Sequence, residues 1–178
     1  MILGVVLAGG LSSRFGSDKA LAELDGHTLL ARAVDGLAGW CEHVVVAGRE
    51  TAPAPTIPDW PRAGMGPLGG LAAALHLAYD EGYDAVLSCG VDAGLMPRNL
   101  LALLGAAPAC LEAQPVIGLW PAAASPLLDS LLHGPEPHAM YRFADSVGAR
   151  RVALETPVPN INTPGDLAAL RQRLRPGG

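Results

Sequence analysis

Three short apolar runs, separated by helix-forming sequence, set the fold class of this chain. Ile2 to Ala8 is β-branched and stops at Gly9-Gly10, Glu42 to Ala47 carries Val44-Val45-Val46, and Asp84 to Ser88 continues apolar as far as Val91. Unbroken apolar strands are those covered on both faces, as parallel strands are. Between them, Thr28 to Leu37 spaces Leu29, Leu30, Ala33, Val34 and Leu37 along one helical face. Leu68 to Tyr79 is an Ala/Leu helix that closes near Gly82. Strands alternating with helices in this way predict βαβ units and a parallel sheet. The expected fold is α/β: a three-layer αβα, Rossmann-like domain with a mostly parallel sheet.

The 178 residues correspond to a single domain, expected over 1–178. The later part of the chain predicts smaller elements. Asn99 to Leu104, Leu127 to Leu132 and Ala139 to Ala144 read as helices, Pro115 to Trp120 as a strand and Arg151 to Leu154 as an edge strand. Pro164 opens a last helix, and Arg171, Arg173 and Arg175 read as its solvated tail. Half the residues are hydrophobic, yet no apolar run reaches the roughly 20 residues of a membrane span. A net charge of −5 argues against nucleic acid as a partner. Cys41, Cys89 and Cys110 form an odd set without metal or redox spacing, which points to a reducing, cytoplasmic setting.

In open parallel sheets ligands bind beyond the carboxyl ends of the strands. The loop after the first strand, read through from Leu7 to Lys19 as LAGGLSSRFGSDK, is the richest in chemistry. Gly9-Gly10 can offer successive backbone N–H groups to an anion. Ser12 and Ser13 add hydroxyls, and Arg14 and Lys19 add positive charge. Lys19 is the only lysine among twelve basic residues. A polyphosphate calls for this combination of fixed donors and charge. Neither the P-loop pattern nor the dinucleotide G-x-G-x-x-G pattern is present, which disfavours an oxidoreductase.

The same loop, read on to Leu21 as LAGG-x-S-S-R-F-G-x-D-K-A-L, resembles the opening signature of the nucleotidyltransferase family that includes the molybdenum cofactor guanylyltransferases. The resemblance runs on through Asp59, seven residues before Gly66-Pro67-Leu68, through Cys89-Gly90-Val91-Asp92, and through Asn160-Ile161-Asn162-Thr163-Pro164 with Asp166-Leu167. It implies a nucleotidyltransferase fold. It also implies that Leu7, Ala8, Gly9 and Gly10 contact the nucleotide, that Arg14 and Lys19 meet its phosphates, and that Gly66 and Pro67 line the site. Asp59 would take the N1–H and 2-amino group of guanine. Two segments depart from the family pattern. Asp92-Ala93-Gly94 replaces a common Asp-x-Pro, and Pro137-His138 stands where relatives often carry adjacent basic residues.

Asp92 closes the third apolar strand at the ligand face, a position suited to Mg²⁺, which prefers one or two carboxylates plus phosphate oxygens. Asp59 can equally be a turn residue before Trp60-Pro61, and Asn162 a helix cap. Asn160 and Asn162 are candidate substrate-binding residues. The five histidines show no metal spacing and read as structural or exposed. By resemblance the reaction is transfer of GMP from GTP to the phosphate of molybdenum-bearing molybdopterin. Arg14, Lys19 and Asp92 would carry it, Mg²⁺ would assist, and molybdoenzymes or cofactor-delivery proteins would be transient partners. The same chemistry on another base or acceptor, as in a cytidylyltransferase or a sugar-phosphate nucleotidyltransferase, and a non-catalytic nucleotide-binding adaptor are the competing readings.

Overall fold

The computed structural model describes residues 1–10, 16–91, 95–135 and 137–175. Its centre is β1 (Ile2–Leu7), flanked by β4 (His43–Ala47) and β6 (Ala85–Gly90), all parallel. These are the three apolar runs of the sequence. Side chains alternate between faces, so Leu3 and Val5 enter one core while Val6 enters the other. The full seven-stranded order is β5-β4-β1-β6-β8-β7-β9. Here β5 is Thr56–Ile57, β7 is Ala109–Leu111, β8 is Gly118–Pro121 and β9 is Arg150–Val152. β8 runs antiparallel to both β6 and β7, and the other pairings are parallel.

Helices cover both faces, giving the expected three layers. α2 (Pro67–Glu81), α4 (Ser125–His133) and α5 (Met140–Ser146) pack on the face of Leu3 and Val5. α1 (Leu29–Ala38) and α3 (Leu100–Leu104) pack on the face of Val6. The Thr28 hydroxyl accepts from Ala31 N–H to start α1, and left-handed Gly82 ends α2. α6 (Pro164–Leu174) docks on a two-stranded hairpin, β2 (Glu23–Leu24) and β3 (His27–Thr28). Ile161, Leu167 and Leu170 meet Leu24 and Leu29 there. Among the described residues no helix is long and apolar enough to cross a membrane.

Several later elements differ from expectation. The strand expected over Pro115 to Trp120 begins only at Gly118, because Pro115 and Val116 form a turn closed by Ile117 N–H on the Gln114 carbonyl at 2.9 Å. The edge strand starts at Arg150 and ends at Val152, where β7, its three-residue partner, also ends. The arginines of α6 are not all a free tail: Arg171 donates to the Glu23 carbonyl and fastens the helix to the hairpin. The hairpin turn is Asp25-Gly26, with both residues at positive φ, a recognisable turn signal. Buried Ser88, inside β6, donates to the Val116 carbonyl at 2.7 Å and accepts from the Trp120 indole at 2.8 Å. The histidines take structural or surface places, His43 on the Tyr83 hydroxyl and His76 on Asp129 among them.

Candidate active site

Strand register sets the site. Leu7, Ala47 and Gly90 lie side by side across β1, β4 and β6, so the loops after these strands leave the sheet at one level. Ala8 N–H still bonds to the Ala47 carbonyl at 2.9 Å. One step further on, Gly9 and Gly48 meet backbone to backbone. A Cβ on Gly9 would lie 2.8 Å from the Gly48 Cα, and one on Gly48 would lie 2.4 Å from the Gly9 Cα, with φ at Gly48 of +85°. No other residue pair fits this approach.

Two cavities open beside these glycines, and both touch Leu7, Gly10 and Pro67. The first, of about 220 Å³, is lined by Leu7, Ala8, Gly10, Asp18, Lys19, Ala20, Pro67, Gly90, Val91 and Val116. The second, of about 130 Å³, is lined by Leu7, Gly9, Gly10, Ala47, Asp59, Gly66, Pro67 and Gly70. A broader recess of about 570 Å³, bordered by Gly48, Arg49, Asp59 and Gly64, adjoins the second. Leu7, Ala8, Gly9, Gly10, Lys19, Asp59, Gly66 and Pro67, eight residues named from sequence, thus share one continuous cleft. Arg14 and Asp92 lie outside the described residues. Among the described residues, Asn160 and Asn162 are not on the walls of these cavities.

Asp59 lines both the second cavity and the recess beside it. The start of α2 can approach it only because Gly69 and Gly70 lack side chains. A Cβ on Gly69 would lie 3.2 Å from the Asp59 Cβ, and one on Gly70 would strike Ala47 at 2.7 Å and Leu7 at 2.8 Å. Trp60 N–H bonds to the Gly69 carbonyl at 3.0 Å, which fixes the segment on the helix. Burial pushes the Asp59 carboxyl above its ordinary value. A carboxylate drawn partly out of water in this way gains most from a ligand that brings N–H donors. Gly66, at φ +70°, turns the chain into α2, whose positive end opens on the same cleft.

Lys19 starts a single 3-10 turn, Lys19–Leu21, whose cap is Asp18: its carboxylate accepts from Ala20 N–H at 3.2 Å. The Asp18 carboxylate also receives both prongs of Arg49, at 3.0 and 2.7 Å. Arg49 holds that carboxyl below its ordinary value, and Asp18 raises the guanidinium in return. Sequence reasoning passed over Asp18, Gly48 and Arg49. The signal for Gly48 was present, as a glycine directly after the second strand mirrors Gly9 after the first. The charge of Lys19 also reaches Asp166 at the start of α6, where it adds to stronger causes that hold that carboxyl low. Those causes identify Asp166 as a cap: it accepts from Asn162 and Thr163 N–H at 2.9 and 2.8 Å, and Thr163 returns the bond. The cap of α6 is therefore Thr163, not Asn162.

Among the described residues no three His, Cys, Asp or Glu side chains gather into a cage for a metal ion. The donor set of the cleft instead fits a divalent cation that takes most of its ligands from phosphate and water. Val91, the last described residue before Asp92, lines the phosphate-side cavity.

A cleft at the carboxyl ends of parallel strands, with a glycine turn, a lysine and a half-buried carboxylate, defines a nucleotide-handling α/β enzyme. The chain belongs to the MobA-like NTP transferase domain family, whose sequence profile matches residues 4–153, and it is accordingly a nucleotidyltransferase. It is 38% identical to the molybdenum cofactor guanylyltransferase of Acidiphilium cryptum (strain JF-5), over 93% of this chain and 91% of that protein. It is 34% identical to the molybdenum cofactor guanylyltransferase of Rhodobacter capsulatus, over 98% and 97%. Its fold is similar to that of the molybdopterin-guanine dinucleotide biosynthesis protein A of Archaeoglobus fulgidus, with a TM-score of 0.76 and 19% identity over 97% of this chain and 98% of that one. The 2-C-methyl-D-erythritol 4-phosphate cytidylyltransferase of Thermus thermophilus shares the fold at a TM-score of 0.63 and 21% identity, over 97% and 100%.

Proposed function

We propose that this chain, as a single domain over 1–178, transfers GMP from GTP to the phosphate of molybdenum-bearing molybdopterin in the cytoplasm. The observation that carries the reading is the half-buried Asp59 carboxylate, one cavity away from Lys19 across the Gly9-Gly10 turn. Asp59 accepts the paired N–H donors of guanine, which adenine, cytosine and uracil do not offer. Leu7, Ala8, Gly9 and Gly10 cradle the nucleotide through backbone, with Gly66 and Pro67 opposite. Lys19 and Arg14 meet the phosphates. An oxygen of the acceptor phosphate forms the new bond to the α-phosphorus. The bond from that phosphorus to the bridging oxygen breaks, and pyrophosphate leaves with the electron pair. No covalent enzyme intermediate is needed, so the protein's contribution is positioning and charge neutralisation. A Mg²⁺ ion held by Asp92 would neutralise charge on the phosphoryl oxygens.

Asn160 and Asn162 are assigned to the acceptor side, Asn162 being bonded through its N–H to Asp166, and transfer of the product to molybdoenzymes or delivery proteins would follow release. The test incubates the protein with each of the four nucleoside triphosphates, Mg²⁺ and loaded molybdopterin, and reads pyrophosphate. Release with GTP alone is expected. Preference for CTP would make the chain a cytidylyltransferase, and binding without release would make it an adaptor.

A further inference from the structure

We propose that Asp18 and Arg49 are positioning residues for this reaction, their two-pronged ion pair setting the place of Lys19 against the triphosphate. The inference rests on the reading of Lys19 as a phosphate ligand. Lys19 belongs to a turn of only three residues, closed by Leu21 N–H on the Asp18 carbonyl and Ala22 N–H on the Lys19 carbonyl, both at 3.1 Å. Such a turn has little rigidity of its own. Its fixed point is the Asp18 side chain. One oxygen, Oδ1, accepts both from Ala20 N–H and from Arg49 Nη1, while Oδ2 takes Arg49 Nη2. Arg49 is itself held at the root, because it follows Gly48, whose Cα is pressed on Gly9. The guanidinium is a planar fork, so two bonds to one carboxylate fix orientation as well as distance.

Charge gives the pair a second task. Asp18 lines the same cavity as Lys19, where a triphosphate would lie. A bare carboxylate there would repel the phosphates and compete for Lys19. Arg49 neutralises it from outside that cavity, on the wall of the recess it shares with Asp59. The ion pair thus ties the base side of the cleft to the phosphate side. The Asp18 side chain is 44% exposed and that of Arg49 18%, so water screens the pair on the Asp18 side, its net contribution to stability is small, and its loss should be read in binding and turnover.

The test compares wild type with Asp18→Asn, Arg49→Ala and the double variant, each also in a Lys19→Ala background. GTP affinity is measured by calorimetry, turnover by pyrophosphate release and folding by circular dichroism and Tm. Arg49→Ala should weaken GTP binding by about tenfold or more, because it exposes the Asp18 charge to the phosphates. Adding Asp18→Asn should recover part of that loss, which a merely structural role would not do. In the Lys19→Ala background Asp18→Asn should change turnover by less than about threefold, since its effect passes through Lys19. Folded variants that keep wild-type affinity and turnover would overturn the proposal, as would an Asp18→Asn loss that simply multiplies with that of Lys19→Ala. A wild type that neither binds GTP nor releases pyrophosphate would overturn the assigned reaction and this inference with it.

Discussion

Gly9 and Gly48, 39 residues apart in the chain, are packed so closely that a Cβ on either would enter the other's backbone. The contact joins the glycine turn after β1 to the loop after β4 and fixes the width of the cleft at its root. Gly48→Ala adds a methyl group at a positive φ and drives it into Gly9. A loss of about 1–3 kcal/mol in stability is expected, with a fall in GTP affinity. Thermal denaturation and calorimetry check the two effects together.

Lys19→Ala should leave the fold intact, because Lys19 opens a short turn and its backbone bonds do not depend on its side chain. Losing a charged hydrogen bond to phosphate should weaken productive triphosphate binding by about 1.5–3 kcal/mol, tenfold or more. Equal kcat/KM for GTP in the variant and in wild type would remove Lys19 from the site.

Asp59→Asn separates stability from selectivity. The folded carboxyl titrates above its unfolded value because burial disfavours its charge. The folded state therefore binds the proton more tightly, and Asp59 favours folding only as pH falls through that raised value. At neutral pH the charge is a burden that Asn removes, so Tm should rise slightly in Asp59→Asn. The variant should also lose its preference for GTP over the other triphosphates. In wild type the GTP preference should fade on acidification at a higher pH than an ordinary aspartate would allow. An unchanged nucleotide ranking in Asp59→Asn would make Asp59 a turn residue.

Ser88→Ala breaks a buried relay. Without the hydroxyl, the Trp120 indole N–H loses its partner inside the core and the half-buried Val116 carbonyl loses its donor. A stability loss of about 1–3 kcal/mol is expected, read as a lower urea midpoint with unchanged slope. Val116 also lines the phosphate-side cavity, so a modest rise in KM for GTP should accompany it.

The central strands could be read from sequence because they are covered on both faces, and Val44-Val45-Val46 has no polar residue to obscure it. Part of the cleft lining had a local signal: Gly9 and Gly10 directly follow the first strand and Lys19 is the chain's single lysine, whereas Asp59 was singled out only by the family resemblance. β7 was not readable, since Ala109–Leu111 is three residues long and too short for any periodicity to register. The Asp18–Arg49 pair joins residues 31 positions apart, and nothing local to either one announces the other. Asn162 had the look of a helix cap, but the capping box of Thr163 and Asp166 took that role.

The docking of α6 on the early hairpin has a consequence for synthesis. Arg171 reaches a carbonyl 148 residues upstream, and Leu24 and Leu29 are shielded by Ile161, Leu167 and Leu170. A chain emerging from the ribosome can pair β1 with β4 and β6 well before α6 exists. Until Pro164 and the turn that precedes it emerge, Leu24 and Leu29 lack their cover, so the hairpin docks after the central strands have paired. The hairpin that follows Lys19 is thereby tied to a residue synthesised 148 positions later, and contacts of such long range close slowly.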